Sequence, residues 1–481
     1  MTDRANAAMR TRVERDPLGE LAVPATALYG IQTARAVQNF PISGIRALPI
    51  FVTATVWIKK AAALTHEQTG RLDTRRAQAI VRAADEILAG QHRDQFVVDI
   101  YQAGAGTSHH MNVNEVLANR ANVLLGSPLG AYEPVHPNDH VNMAQSTNDV
   151  IPTAIRLACL AQLPDIAAGA TALIEALRDK GRQFDDVVKA GRTHLQDAMP
   201  IRLGQELAAY ANAIERGLKR VMQAADFLRD LGIGGSAVGT GVNVEPEYPS
   251  LMVRLLGEMT GLTLRVGDDR VQLMQSMGDV AGYSAQLRVL ALDLSKIASD
   301  LRLLASGPRT GFDEIRLPAV QPGSSIMPGK VNPSIPEMVN QVCLQVVGCD
   351  SCVAAASEHG QLELNVMMPV IAFNVLLSGQ IMASAMRVLA ERCIAGLEVN
   401  REQCDYWVER SAALATALAP QIGYAKAAEI SKQSVKENVL IRDLVKRERV
   451  LPEDEIDDVL DLKKMTEIGV PGGAHRGASA G

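Results

Sequence analysis

The sequence predicts an all-α protein organised around a bundle of long helices, and three observations predict it. Aromatic residues make up only 4% of the 481 positions against 47% apolar, and Ala and Leu supply much of that apolar share, which favours helix over sheet. Proline, which breaks a helix interior, is missing from three spans: Pro200 to Pro246, Pro249 to Pro308 and Pro369 to Pro420. In the second span Leu287, Leu290, Leu294, Ile297, Leu301 and Leu304 recur at alternating steps of 3 and 4, the seam of a long packed helix.

Taken in order, the chain opens on "MTDRANAAMRTRVERDPLGE", charged throughout and without an apolar stretch, so no secretory signal is expected and the cytoplasm is the expected compartment. At 481 residues it exceeds the roughly 250–300 at which one core usually suffices, so several domains are expected. Prolines cluster early and then thin out, which places a mixed, loop-richer domain at 1–147, the long-helix domain at 148–402 and a small helical domain at 403–481. Ile166, Leu173, Ile174 and Leu177 form a second helical face, and Glu337 to Cys352 reads as a further helix beginning directly after Pro336. The end, "GVPGGAHRGASAG", is Gly/Ala-rich and expected to lack structure. Helices this long in an Ala/Leu-rich chain need partner copies to cover their faces, so a homo-oligomer is expected.

Several function classes are disfavoured. The net charge is −6 with Lys and Arg scattered, which leaves no electrostatic footprint for nucleic acid. Residues 364 to 386 form an uncharged run long enough to cross a bilayer, but Asn365, Asn374, Ser378, Gln380 and Ser384 interrupt it, so a core helix and no membrane partner are expected. Cys349 and Cys352 form a lone CxxC in a helix-like run without a second pair, so the six cysteines read as small core residues.

Five loops carry chemistry. "GAGTSHHMNVNE" sets Thr107 and Ser108 after glycines, as at a helix N-terminus whose free amides favour an anion. "HPNDHVNMAQSTND" offers Ser146, Thr147 and Asn148 ahead of a proline-initiated helix, and "GRTHLQDAMP" offers Thr193 and His194. "GIGGSAVGTG" matches a dinucleotide fingerprint only loosely, because a charged helical stretch precedes it where a buried strand is needed. In "HPNDH", Pro137 spoils the helical i, i+4 geometry of a zinc pair, so no metal is expected. "GSSIMPGKVNP", at 323–333, brings Ser324, Lys330 and Asn332 into one Gly/Pro-rich loop. Short donors with a histidine, a lysine and asparagines describe a site for a small carboxylate substrate without a cofactor. Spacing alone does not name the reaction.

"GSSIMPGKVNP" resembles the signature of the aspartase/fumarase superfamily. "HPNDHVNMAQSTND", "GRTHLQDAMPIRLGQE", "SAVGTGVN" and "ASGP" agree with it in the same order, over almost the whole chain. The resemblance implies a three-domain fold whose central helices form a 20-helix bundle in a homotetramer, with each active site drawing loops from three subunits. It implies proton abstraction from the carbon beside a carboxylate, followed by loss of ammonia or water from the next carbon. Ser324 stands where the family's base stands, with His194 and Lys330 beside it in catalysis. Lys330, Asn332 and Thr193 would hold the doubly charged aci-carboxylate, and Thr107, Ser108, Ser146, Thr147 and Asn148 the substrate's carboxylates.

"SIPEMVNQVC", "GAGTS", "HPNDH" and "GQLELNVM" side with the aspartase branch, which implies deamination of L-aspartate to fumarate and ammonia; a sister lyase or hydratase on another amino or hydroxy acid is the alternative, and a non-catalytic structural homologue on the same fold a minor one. His109, His110 and Met368 depart from the family pattern: a small residue and Asn are expected at the first two, and Glu or Arg at the third.

Overall fold

The computed structural model describes residues 10–473; the Gly/Ala-rich end lies, from Ala474 on, outside the described residues. Helix dominates, as the composition implies. The elements in chain order are β1 (Thr11–Asp16), β2 (Gly19–Pro24), α1 (Ile31–Asn39), α2 (Pro49–Gln68), α3 (Thr74–Leu88), α4 (Thr107–Leu124), α5 (Thr147–Gln183), β3 (Val188–Thr193), β4 (Gln196–Arg202), α6 (Leu203–Ala225), α7 (Tyr248–Thr260), α8 (Gly278–Leu304), α9 (Ser334–Glu358) and α10 (Met368–Leu389). A set of shorter helices follows, from Arg401–Arg410 to Glu453–Val459. β1–β2 and β3–β4 are antiparallel hairpins, and two more two-residue pairings complete the sheet content among the described residues.

Two compact units emerge. The first comprises the chain up to Ala167 with Leu218–Ala291 and Leu344–Ala383; the second comprises Ala168–Gly217, Leu292–Cys343 and the chain from Ser384 on. In the first, α2, α3 and α4 share a core that includes Val56, Ile80, Ile87, Val113 and Leu117. In the second, the short C-terminal helices close over Leu414, Leu418, Ile430, Leu444 and Ile456.

Local sequence explains the element ends. Pro49 opens α2 at a position whose amide would be unpaired in any case, Asp73 caps α3 by accepting from the Arg76 amide, and Gly261 ends α7 in the left-handed region at φ 70°. The leucine seam lies along α8, with Leu287, Leu290, Leu294, Ile297 and Leu301 at most 1% exposed. α9 begins at Ser334, two residues before Pro336, and α5 at Thr147, five before Pro152. Pro336, third in α9, falls in a first turn, where its missing N–H leaves no bond unmade, whereas Pro152, sixth in α5, lies past that turn and offers no amide to the Asn148 carbonyl, so neither proline begins its helix.

Three helices, Thr147–Gln183, Ser334–Glu358 and Met368–Ile394, are long and apolar enough to cross a membrane by length and composition. The last covers most of the uncharged run. There Ile371, Val375, Leu376, Met382 and Met386 are fully buried, and Asn374 and Ser378 return hydrogen bonds to carbonyls one turn back. All six cysteines are free thiols, and five are buried.

Candidate active site

The first unit holds two of the donor loops. At the first, Ala105 (φ 61°) and Gly106 (φ 93°) both lie in the left-handed region and turn the chain into α4. A Cβ on Gly106 would stand 3.2 Å from Ile151, so glycine is favoured by both conformation and space. Thr107 is exposed at the helix start, whereas Ser108 is buried. The Gln102 side chain takes the His109 amide at 2.7 Å, leaving the Thr107 and Ser108 amides without intrahelical partners.

At the second loop Ser146 and Asp149 form a reciprocal cap for α5. The Asn148 amide donates to Ser146 Oγ at 3.2 Å, and the Ser146 amide to Asp149 Oδ1 at 2.9 Å. The other Asp149 oxygen accepts from the amides of Gly234 (3.0 Å) and Ser236 (3.1 Å), and one Asn148 N–H reaches the Ala237 carbonyl at 2.8 Å. The glycine loop that resembled a dinucleotide fingerprint is therefore a clamp on the start of α5. Gly234 has φ 87°, and a Cβ there would meet the Pro249 ring at 2.7 Å. Burial pushes the Asp149 carboxyl up to about 6, against the opposing pull of its amide bonds and of Lys59.

Beneath these loops lies a cluster that sequence reasoning missed. Lys59 of α2 is fully buried, and its Nζ sits 2.5 Å from His110 Nε2, 2.8 Å from Gln145 Oε1 and 3.0 Å from Asn142 Oδ1. His110 Nδ1 in turn lies 2.8 Å from Thr147 Oγ1. His109 takes a separate course: its ring stacks on Phe51 with centroids 4.5 Å apart, and its Nε2 meets Thr55 Oγ1 at 3.1 Å. Thr55 already gives its proton to the Phe51 carbonyl, so His109 donates from Nε2. Burial pulls Lys59 and His110 well below their ordinary values, and brings His109 down to about 3. One signal was available: Lys59 and Lys60 are the only charged residues in the otherwise apolar stretch "PIFVTATVWIKKAAALTH".

The "HPNDH" turn spends its histidine nitrogens on backbone. His136 Nδ1 accepts from the amides of Asn138 and Asp139, and His140 Nδ1 from the His136 amide.

The second unit holds the remaining candidates. Thr193 and His194 lie exposed at the tip of the β3–β4 hairpin. Thr193 pairs with Gln196 across a two-residue turn, and its central residues His194 and Leu195 both have φ 57°. Hairpins of this type favour Asn and Gly there, so a histidine and a leucine store strain. Fully buried Glu314 steadies the hairpin's β3 strand by accepting from Arg192 at 2.8 Å and pairing with Lys189 at 3.2 Å.

The signature loop is tied to itself. The Gly323 amide donates to the Lys330 carbonyl at 2.8 Å, and Asn332 Nδ2 to the Gly323 carbonyl at 2.6 Å. Ser324 Oγ accepts from the amides of Met327 (2.9 Å) and Ile326 (3.2 Å). Lys330 is exposed, and with Asn332, Gly307, Asp313 and Arg316 it lines an open cavity of about 510 Å³. Ser324, Lys330 and Asn332 thus share one loop, and Ser146, Thr147 and Asn148 one helix start. Among the described residues no hydrogen bond joins Thr193 or His194 to the signature loop.

A lyase family model matches residues 19–348, and the C-terminal model of fumarase C matches 414–467. An aspartate ammonia-lyase of Bacillus subtilis (strain 168) is 47% identical over 96% of this chain and 97% of its own length. A class II fumarate hydratase of Halobacterium salinarum is 50% identical over 96% and 98%. Among solved structures, the cobalt-bound fumarate lyase:delta crystallin of Brucella melitensis superposes with a TM-score of 0.91 at 47% identity, covering 95% of this chain and all of that one. A class II fumarase of Schistosoma mansoni superposes with a TM-score of 0.91 at 35% identity, covering 95% and 99%. The helical fold, the loop set in its order and these likenesses together show that the chain belongs to the aspartase/fumarase superfamily of lyases.

Proposed function

We propose that this lyase converts L-aspartate to fumarate and ammonia, with Ser324 as the base. The observation that carries the reading is the pair of amides aimed at Ser324 Oγ. Both contacts donate to the oxygen, so the hydroxyl proton is free to leave and the alkoxide keeps two hydrogen bonds when it does. A serine in water is far too weak an acid for this task, and fixed amide donors with a nearby lysine are what would bring it into range. Asn332 has one N–H committed to the Gly323 carbonyl and a second left for a substrate carboxylate. Thr107, Ser146, Thr147 and Asn148 would supply the short donors for the other end of a dicarboxylate, with Thr193 and His194 contributed on the strained hairpin.

The proposal includes a homotetramer with shared sites. In the single chain only 33% of the apolar stretch of α9 is buried, against 61% for those of α5 and α10, and Leu344 is 70% exposed. Copies of the chain would cover that face. Light scattering on the purified protein checks this; a monomer at micromolar concentration would refute the shared-site reading.

The preference for aspartate is supported by the aspartate ammonia-lyase relatives and the loop wording that sides with them. One finding favours a second reading, fumarate hydration: the relative that is 50% identical is a fumarate hydratase. Mixing the protein with L-aspartate or with malate and following the ultraviolet absorbance of fumarate separates the two. A rise with aspartate alone supports the deaminase, a rise with malate alone the hydratase, and silence with both defeats each.

A further inference from the structure

The buried cluster under Thr147 has a directionality that its neighbours fix. Asn142 Nδ2 donates to the Gln145 carbonyl, and Gln145 Nε2 donates to the carbonyls of Val141 and Met143. Both side-chain oxygens therefore face Lys59 as acceptors, and the third neighbour of Nζ is the His110 ring. Asp149, buried and held by amides alone, leaves a negative charge for Lys59 to balance. A lysine ammonium has three protons and no lone pair, so with two given to Asn142 and Gln145 the third goes to His110 Nε2. The ring then carries its own proton on Nδ1, which points at Thr147 Oγ1, 2.8 Å away. Thr147 accepts there, and no other partner of its hydroxyl is present among the described residues.

We propose that Lys59, acting through His110, is a positioning pair that turns the Thr147 hydroxyl proton outward and so makes Thr147 a donor for a carboxylate of the substrate. The inference rests on the reading that Thr147 meets substrate. Its logic is one of polarity: were Lys59 a neutral amine, it would accept from His110 Nε2–H, the ring would take the Thr147 proton at Nδ1, and Thr147 would show an anion only lone pairs. Burial keeps the His110 ring neutral, so one of the two tautomers has to be present.

Neutron diffraction from crystals of the full-length protein grown in heavy water at pH 7 reads the tautomer directly. The expected map has deuterium on His110 Nδ1, none on Nε2 and three on Lys59 Nζ; deuterium on Nε2 overturns the proposal. Kinetics give a second test. In His110→Asn an acceptor can face Lys59 and a donor Thr147, so KM should stay within about threefold. In His110→Asp only acceptors are offered, Thr147 turns its proton inward, and KM should rise about tenfold or more with a smaller change in kcat. Equal KM in two folded variants contradicts the proposal. If the wild-type protein acts on neither aspartate nor malate, the proposed reaction fails on its own account and the neutron map still decides the tautomer.

Discussion

The Gly323 amide donates to the Lys330 carbonyl at 2.8 Å, closing the signature loop into a ring that carries the serine at one end and the lysine at the other. The contact admits no side chain: a Cβ on Gly323 would lie 2.4 Å from the Lys330 oxygen and 2.8 Å from the Asn332 nitrogen. Gly323→Ala should therefore open the ring and lower kcat/KM about a hundredfold. Because the loop is largely exposed, the melting temperature should hold within about 2 °C. A melting shift with activity intact would show that the ring serves folding and not the site.

Ser324→Ala tests the base. It removes the oxygen that receives the Ile326 and Met327 amides and leaves the loop's other ties in place. If the group acts mainly in the transition state, kcat should fall by about three orders of magnitude or more while KM changes little. Lys330→Ala should raise KM and lower kcat together. Near-normal turnover in the serine variant would put the base elsewhere.

Asp149 is the joint between the α5 donor loop and the glycine clamp. In Asp149→Asn one oxygen is replaced by an NH₂ group, which would face either the Ser146 amide or those of Gly234 and Ser236, donor against donor. The cost should be about 2–4 kcal/mol, and the loss of charge should also leave Lys59 unbalanced. Denaturant unfolding at pH 7 measures it; a change under about 0.5 kcal/mol would mean that the clamp is slack.

The seam of α8 was legible because its period is carried by large apolar residues, and the donor loops because Gly and Pro mark them in a helical background. Ser324, Lys330 and Asn332 needed only proximity in sequence to be grouped. Lys59 was legible only as one of two lysines in an apolar stretch: its partner His110 is 51 positions away, and nothing in the helix announces which of the two is drawn inward by distant acceptors. The histidines at 109 and 110 stood out as departures from the family pattern. Their roles, one stacked on Phe51 and the other bridging Lys59 to Thr147, depend on which way adjacent residues of a helix face, and neighbours differ by about 100°. The self-tied form of the signature loop was also hidden, since backbone pairing between Gly323 and Lys330, seven positions apart, leaves no compositional trace.

His109 should govern acid sensitivity. Its ordinary value of 6.5 falls to about 3 through burial, with the Lys59 charge adding to the effect. Between those values the unfolded chain binds a proton at this ring and the folded chain does not, so stability is fully present above pH 6.5 and is lost as pH falls toward 3. Asp149 acts in the opposite sense, rising from 3.8 to about 6, so between those values protonation favours the folded chain. His110, lowered by burial like His109, acts in the same sense as His109 and against Asp149. In His109→Gln the stack on Phe51 is lost, which should cost about 1–2 kcal/mol at pH 7. The variant should then lose about 2 kcal/mol less than the wild type between pH 6.5 and 4.5, since the slope reaches its full value of about 1.4 kcal/mol per pH unit only below the ordinary histidine range. Urea unfolding of both proteins across that interval is the measurement, and parallel stability curves would show that the ring does not resist protonation in the fold.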